Sequence, residues 1–249
     1  MGKQSLDYYE KRQAFNSIIA WVHSLRYRSI SKVFESYSKQ KDGPIRVVDI
    51  GCSHAKIFSV LNKRFNIHYT GLDPRSDFVA IARARYQQHQ NFEIIHGLIQ
   101  DHYQKLQGVD MVIALETLEH IPENIVVRIV EEIAAAKPNL FVCSVPVEIG
   151  PAVWMKNFGS FLMRYLRHRE YSLRETFWAG LYQLDKIPPH DTRHKGFDWR
   201  WLAQTIRHHF HIRKRWNLPI KFLPAAFSSS VFFIAEVRSL QPPSYQDNR

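Results

Sequence analysis

Residues 47–55 are the part of the chain that most constrains its fold. The mostly apolar run Val47-Val48-Asp49-Ile50 ends at Gly51, and a short turn then leads into a helical pattern. A second apolar run ends at Leu72 and Asp73, about 20 residues further on. A strand, a tight turn and a helix, with an acidic residue closing the next strand, are typical of units that bind nucleotide-like cofactors. The segment therefore predicts a parallel α/β sheet with a cofactor site.

Length and composition bound the class of protein. The chain has 249 residues, of which 45% are hydrophobic, enough for one large α/β domain with a sizeable core. No apolar run approaches the ~20 residues that span a bilayer, and the polar N-terminus does not resemble a signal peptide. Cys52 and Cys143 are the only cysteines, and their spacing suggests neither a metal knuckle nor a redox pair. We expect a reduced, cytoplasmic setting and no transmembrane segment.

Apolar periodicity predicts the order of the elements. Helical spacing over 5–38 is followed by strands that alternate with helices, which indicates parallel strands joined by right-handed crossovers. Strands are expected at 45–50, 68–72, 91–96, 110–115 and 140–145, and helices at 55–65, 76–88, 99–106 and 122–136. The rhythm breaks over 148–190, and a helix at 199–209 then precedes two closing strands, 211–218 and 229–237.

Positive charge is concentrated in residues 151–220, which hold 13 Lys and Arg against 5 Asp and Glu, within a formal net charge of +11 for the chain. Such a concentration marks either an anionic partner or a solvated basic face. The start of the same region has an amphipathic pattern that fits either a cap on the core or a lid over the site, with peripheral membrane contact as a further role. Its apolar face comprises Trp154, Phe158, Phe161, Leu162, Tyr165 and Leu166.

The turn after the first strand narrows the choice of cofactor. Gly51, Ser53 and Ala55 are small residues at alternate positions, which allows the backbone to approach a ligand closely. The G-x-G-x-x-G fingerprint and the phosphate-binding Gly-Lys-Ser/Thr loop are both missing, which argues against a cofactor with a pyrophosphate. Asp73 is placed to accept hydrogen bonds from a ribose diol, unless Asp73 and Pro74 only cap the next helix.

These residues resemble the motifs of the class I S-adenosylmethionine-dependent methyltransferases. Residues 47–53 look like the first motif of that family, 69–74 like the second and 94–101 like the third, whereas 114–122 is closest in form to the ubiquinone-biosynthesis O-methyltransferases. The resemblance implies an α/β, Rossmann-like, seven-stranded, mostly parallel sheet with an antiparallel last strand, to which the residue pattern adds N-terminal helices and a helical insert after strand 5. Together they predict an N-terminal helical segment (1–40), a methyltransferase domain (41–238) with a helical lid (148–190), and a flexible tail (239–249).

The resemblance also implies which residues hold S-adenosyl-L-methionine. The amino acid part would lie against the first turn, the ribose against the end of the second strand, the adenine after the third, and the mouth of the site at the fourth. The implied residues are Asp49, Gly51, Cys52, Ser53, Asp73, Pro74, Ile99, Gln100, Leu115 and Glu116. Two positions depart from the family: Ala55 replaces its usual third glycine, and Leu98 stands where many relatives have an acidic residue.

Acidic and histidine residues follow the fourth strand and recur beyond the insert. Glu116, Glu119 and His120 form an E-x-x-E-H cluster, and His194 lies in an H-K-x-F-D-W segment. This combination is similar to the small-RNA 3′-end 2′-O-methyltransferases and suits a divalent ion such as Mg²⁺ or Zn²⁺, with these four residues as ligands. The alternative is that Glu119 and His120 only satisfy the first turn of a helix. Without a metal, His120, His190 or His194 could act as general base.

The leading function predicted from the sequence is S-adenosylmethionine-dependent O-methylation of a small-molecule, sugar or lipid-linked hydroxyl, with His120, His194 and Glu116 as catalytic candidates. An RNA 2′-O-methyltransferase with a metal site is the alternative, suggested by the basic region and by Trp199, Trp201 and Trp216. A non-catalytic protein that keeps the fold and has lost the chemistry is a third hypothesis, supported by Ala55 and Leu98.

Overall fold

The computed structural model describes residues 17–162, 171–190 and 194–238. Its strands are β1 (Ile45–Ile50), β2 (Ile67–Asp73), β3 (Phe92–His96), β4 (Met111–Leu115), β5 (Leu140–Pro146), β6 (Phe210–Leu218) and β7 (Ser230–Val237). Its α-helices are α1 (Ser17–Ser38), α2 (Lys56–Leu61), α3 (Ser76–Tyr86), α4 (Glu123–Ala136), α5 (Pro151–Leu162), α6 (Leu173–Gly180) and α7 (Trp199–His209). Short 3₁₀ turns span Ile99–Asp101, Tyr103–Leu106, Leu118–His120, Leu184–Lys186 and Ala225–Phe227.

One sheet contains all the described strands, in the order β3-β2-β1-β4-β5-β7-β6. Strands β1 to β5 are parallel, whereas β7 is antiparallel to both β5 and β6. The predicted Rossmann-like sheet with a reversed last strand is therefore confirmed. Because the chain order reverses between β1 and β4, the carboxyl ends of these strands open into the crevice where ligands bind in such sheets.

Both faces of the sheet are covered, as parallel strands require. Val48 and Ile50 of β1 pack with α4 and α7, whereas Val47 of the same strand packs on the opposite face with α1 and α2. Successive strand residues point to opposite faces, so the apolar residues of β1 supply both cores. This two-sided burial fixes the strand ends that carry the site.

Three local predictions differ from the structure. Residues 99–106 form two 3₁₀ turns instead of one helix, and α2 ends at Leu61 instead of 65. Trp154 and Phe158, predicted to lie on the buried face of α5 if it caps the core, are exposed, and Ala152 and Val153 are buried in their place. Apolar spacing gave the right periodicity there, but the packing of α5 against α6 selected a different face.

Among the described residues, no helix combines the length and the apolar character needed to cross a bilayer. The predicted N-terminal residues 1–16, the tail 239–249, and Tyr165 and Leu166 lie outside the described residues. The division of the chain into a helical segment, a catalytic domain with a lid and a tail stays a prediction.

Candidate active site

The turn after β1 is bound to the end of β2. The backbone N–H of Ser53 donates to Oδ2 of Asp73 at 2.8 Å, and the N–H of Arg75 donates to Oδ1 of Asp73 at 2.9 Å. Burial raises the pKa of Asp73, while the N–H groups of Arg75 and Ser53 oppose that shift. A carboxylate offers about four acceptor positions, so two remain for a ribose diol. The two spots that the sequence assigned to one cofactor are therefore in direct contact.

The turn has a compact backbone. The N–H groups of Gly51 and Cys52 both donate to the carbonyl of Leu72, at 2.8 and 3.0 Å. Gly51, Ser53 and Ala55 all have positive φ angles, of 70°, 52° and 56°. Ala55 thus adopts the left-handed conformation that the family's third glycine would adopt freely, at a cost of roughly 1–2 kcal/mol. The departure from the family motif changes the strain in the turn but not its path.

Two residues before the turn, β1 contains the buried carboxyl group of Asp49. Asp49 is 1% exposed, and its Oδ2 accepts a 2.6 Å hydrogen bond from the hydroxyl of Tyr69 on the neighbouring strand. Burial raises the pKa of Asp49 to about 7, with the Tyr69 hydrogen bond opposing the shift and Asp73 adding to it. Asp49 is therefore a carboxyl group whose charge near neutral pH depends on what binds beside it.

The turns after β3 supply the surroundings expected for an adenine. Ile99 is buried, and the side-chain oxygen of Gln100 is buried with no hydrogen-bond partner among the described residues. An unsatisfied buried acceptor is costly unless a ligand supplies a donor, and the exocyclic amine of adenine is such a donor. Leu98 is 44% exposed and lies at the outer side of this turn. The residues present therefore fit S-adenosylmethionine, from the Gln100 acceptor to the Asp73 carboxylate.

Glu116 lies at the carboxyl end of β4 in a left-handed conformation, with a φ of 52°. Its Oε1 accepts a 3.1 Å hydrogen bond from the hydroxyl of Ser144, and its Oε2 lies 3.2 Å from the guanidinium of Arg26. Arg26 is 14% exposed, and its Nε has no hydrogen-bond partner among the described residues. Sequence reasoning missed Arg26, because the periodicity of α1 identifies its apolar face and gives no sign that this cation reaches β4.

The predicted metal ligands come together in part. Glu119, His120 and His194 each place one ligand atom within 4.8 Å of the others. The rings of His120 and His194 are 4.7 Å apart, and Nδ1 of His194 lies 3.9 Å from Oε1 of Glu119. His194 precedes α7, so the fold brings it across the sheet edge from a position distant in sequence. Glu116, the fourth predicted ligand, is not part of this cluster, and its carboxylate contacts Arg26 and Ser144 instead.

The chemistry of this cluster fits a divalent cation. Glu119 is 0% exposed, and neither of its carboxylate oxygens has a hydrogen-bond partner among the described residues. Burial raises the pKa of Glu119 well above its ordinary value, and the nearby charge of Glu116 adds to the shift. Buried carboxylates are normally paired or coordinated to metal, and a carboxylate with two imidazoles suits a first-row divalent ion.

Other candidate residues have structural positions. Nδ1 of His190 lies 3.1 Å from the carbonyl of Lys195, and its ring packs 5.2 Å from that of Phe197. Trp216 is buried and stacks on Phe232, while Trp199 and Trp201 are partly buried against the core. The three tryptophans therefore offer little free surface for stacking with bases.

The central region of the chain is similar to known methyltransferases. The family model of a methyltransferase domain matches residues 47–138. A small RNA 2′-O-methyltransferase of Drosophila melanogaster is 25% identical over 167 residues, which are 60% of this chain and 41% of that protein. The chain therefore spans about two fifths of the length of this curated relative.

Solved structures share the fold at low sequence identity. The methyltransferase domain of bacterial CtHen1-C has a TM-score of 0.58 and 16% identity, over 88% of this chain and all of that domain. The magnesium protoporphyrin IX methyltransferase of Synechocystis, solved with S-adenosylhomocysteine, has a TM-score of 0.56 and 16% identity over 90% and 88% of the two chains. The CurJ carbon methyltransferase has a TM-score of 0.62 and 14% identity over 94% and 59%. The last two are named for different acceptors, a magnesium protoporphyrin and a carbon atom, so the shared fold does not choose one.

Proposed function

We propose that this class I S-adenosylmethionine-dependent methyltransferase, whose residues 47–138 match the family model of a methyltransferase domain, transfers the methyl group to a ribose 2′-hydroxyl of RNA with a divalent metal ion. The observation that carries the proposal is the buried Glu119 carboxylate beside His120 and His194, at the carboxyl edge of the sheet. The similarity to a small RNA 2′-O-methyltransferase supports the same acceptor.

The chain's own residues would position the cofactor. Asp73 would accept hydrogen bonds from the ribose diol while it holds the turn through Ser53, and Gln100 would accept one from the adenine. S-adenosylmethionine supplies an activated methyl group, so the protein must mainly align the acceptor with it and remove the hydroxyl proton. With the turn after β1 at one end of the cofactor and the Gln100 acceptor at the other, the sulfonium would lie near β4.

The acceptor hydroxyl would lie at the cluster of Glu119, His120 and His194. A bound divalent ion supplies Lewis acidity that lowers the pKa of a coordinated hydroxyl. Glu119 and the two imidazoles would hold the ion, while Arg26 keeps part of the neighbouring negative charge on Glu116 compensated. A ribose diol at an RNA end presents two adjacent hydroxyls, a geometry that suits such an ion.

The small-molecule, sugar or lipid-linked acceptor predicted from the sequence is the second candidate. Its support is the exposed apolar surface of the insert, where Phe158 and Leu173 are 66% and 92% exposed. We favour RNA because the metal cluster and the curated relative point to the same chemistry, whereas the insert identifies no particular small acceptor. The cytoplasmic location stays a prediction.

The test uses the purified chain, labelled S-adenosylmethionine and two RNAs that differ only at the terminal ribose, one with a 2′-hydroxyl and one 2′-deoxy. We expect transfer to the first RNA alone, loss of transfer in chelator, and recovery with Mn²⁺. Glu119→Gln should lower both Mn²⁺ affinity and transfer at least about tenfold. Glu123→Gln, an exposed carboxylate at the start of α4, is the matched control and should leave both unchanged.

Full transfer in the presence of chelator would contradict the metal site. Equal transfer to the 2′-deoxy RNA would contradict the 2′-hydroxyl as the acceptor. Transfer to small hydroxyl compounds with none to any RNA would favour the second candidate.

A further inference from the structure

We infer that the outer edge of β6 and the helix and strand flanking it form the surface that binds the sugar–phosphate backbone of the RNA acceptor. This inference rests on the proposed function and adds to it the surface that holds the substrate. Among the described strands, β6 is the last of the sheet, and none pairs with its outer edge. The surface, called here the β6 edge, has one cationic group on each side of the strand.

The first group lies on the α7 side of the strand. Arg207, Arg213, Arg215 and Arg238 line one groove there, and Lys214, which borders this groove, is shared with the second group. Among these, Arg213 is paired with Glu236 at 2.7 Å. A groove lined by several cations, of which one is paired with a carboxylate, attracts polyanions. Such a groove is typical of proteins that bind nucleic acids.

The second group lies on the α1 side. Lys221 sits with its ammonium 5.6 Å from the centre of the Trp216 ring. Burial lowers the pKa of Lys221, and the charges of Lys32 on α1 and Lys214 on β6 lower it further. Lys32 and Lys214 therefore both act on the ammonium of Lys221, and no salt bridge joins any of the three lysines to an acidic residue among the described residues. An anion between them would relieve that repulsion.

Strand β6 runs toward the sheet edge that carries the active site, so its basic residues extend in that direction. Leu218 pairs with Ser230, which in turn pairs with Pro146 at the end of β5, so β6 ends at the same sheet edge as the cofactor turn. Its 9 residues extend about 30 Å. The guanidinium of Arg215 lies 5.2 Å from the centre of the Trp199 ring, at the start of α7 and five residues after His194. A bound RNA chain could therefore follow the strand and bring its end to the metal cluster.

Basic residues on an edge strand also discourage pairing with other strands. That role alone predicts no effect of these residues on RNA affinity. It also predicts no change in the salt dependence of binding, whereas contacts to phosphates release counterions and make affinity fall with salt.

The test measures binding of a labelled 20-nucleotide single-stranded RNA by fluorescence anisotropy over a range of KCl concentrations. The variant carries Arg207→Gln, Lys214→Gln and Arg238→Gln, which lie outside the catalytic machinery and leave the Arg213–Glu236 pair intact. We expect its affinity for RNA to fall about 10- to 100-fold near 0.1 M salt. The slope of log K against log salt should become shallower by about 2, as each lost phosphate contact contributes about 0.7 on a single strand.

The control variant carries Lys39→Gln, Lys63→Gln and Arg83→Gln. These substitutions replace three exposed cations on other surfaces and remove the same net charge. It should keep the wild-type slope, and both variants should keep wild-type affinity for S-adenosylhomocysteine, which shows that they are folded. Methyl transfer to a dinucleotide should be equal in both.

Equal losses in the two variants would mean a general effect of net charge and would overturn the inference. If the β6 edge variant binds RNA with wild-type affinity and a wild-type salt slope, the inference about this surface is also overturned. The proposed function would still stand in that case, provided that the wild type methylates RNA. If the wild type neither binds nor methylates RNA, the proposed function fails as well. Binding to phosphatidylserine vesicles that the β6 edge variant loses, without any RNA binding, would replace RNA with a membrane surface.

Discussion

The backbone N–H of Ser53 donates a 2.8 Å hydrogen bond to the carboxylate of Asp73, so the turn after β1 and the end of β2 are one structural unit. The carboxylate also accepts the N–H of Arg75 at 2.9 Å. A change at Asp73 therefore acts on the cofactor in two ways, by removing acceptors for the ribose and by releasing the turn.

Asp73→Asn should lower the affinity for S-adenosylhomocysteine at least about tenfold, because an amide has one oxygen to accept the hydrogen bonds that the two carboxylate oxygens share. Calorimetry measures the affinity. Asp42→Asn, an exposed carboxylate ahead of β1, is the control and should bind normally. The loss should shrink when the ligand is the 2′-deoxyribose analogue, and a loss of the same size for both ligands would argue against a ribose contact.

Arg26 compensates the charge of Glu116. The pair is 3.2 Å apart and about one-seventh exposed on each side, so Arg26→Met should lower the free energy of unfolding by about 1–3 kcal/mol. Combining it with Glu116→Gln should destabilise the apo protein less than the sum of the two changes, by about 1 kcal/mol. Urea unfolding measures all three variants. Arg28→Met, an exposed position two residues along α1, supplies the control; additivity would show that Arg26 and Glu116 do not interact.

Gly51 is required for more than its backbone angle. Its φ is +70°, and a Cβ atom there would overlap the side chain of Thr117. Gly43 has a φ of +82° with nothing within 4 Å of such an atom, so Gly43→Ala isolates the backbone strain. Gly51→Ala should destabilise the protein by about 1–3 kcal/mol more than Gly43→Ala, because only the former overpacks the turn.

Thermal unfolding compares the two alanine variants. In a Thr117→Ala background the difference between them should narrow, since most of the overlap is with the Thr117 side chain. Equal destabilisation in the wild-type background would mean that the turn moves to accommodate the extra atom.

Asp49 predicts a pH dependence of stability in the apo protein. Its pKa is raised by burial from 3.8 to about 7 in the folded state, so the folded protein holds this proton more tightly than the unfolded chain does. The resulting stabilisation is fully present below pH 3.8 and is lost as the pH rises through 7. Asp49→Asn removes the titration while its amide oxygen still accepts from Tyr69.

Urea unfolding of wild type and Asp49→Asn at pH 5 and pH 8 measures this effect. The variant should gain stability relative to the wild type by up to about 3 kcal/mol over that interval. Asp101→Asn, at an exposed carboxyl group, should run parallel to the wild type at both pH values. A constant difference between Asp49→Asn and wild type would show that Asp49 titrates alike in the folded and unfolded states.

The sequence by itself determined which segments form strands and that the first five of them run parallel. Mostly apolar runs such as 47–50 are buried on both faces, and crossovers between parallel strands are right-handed, so the parallel sheet and the cofactor turn could be predicted. It also determined Asp73, because a residue at the end of a strand must lie at the sheet edge.

Tertiary structure alone decided which distant side chains meet there. Arg26 contacts Glu116 from helix α1, whose sequence pattern identifies only the apolar face of that helix. His194 lies near Glu119 although the two are separated in sequence by the insert, whose path could not be predicted. Packing also reversed the expected face of α5 and left Phe158 exposed. Periodicity records which residues share a face of one element. The contacts of charged side chains between elements depend on where packing places those elements, and no local spacing contains that information.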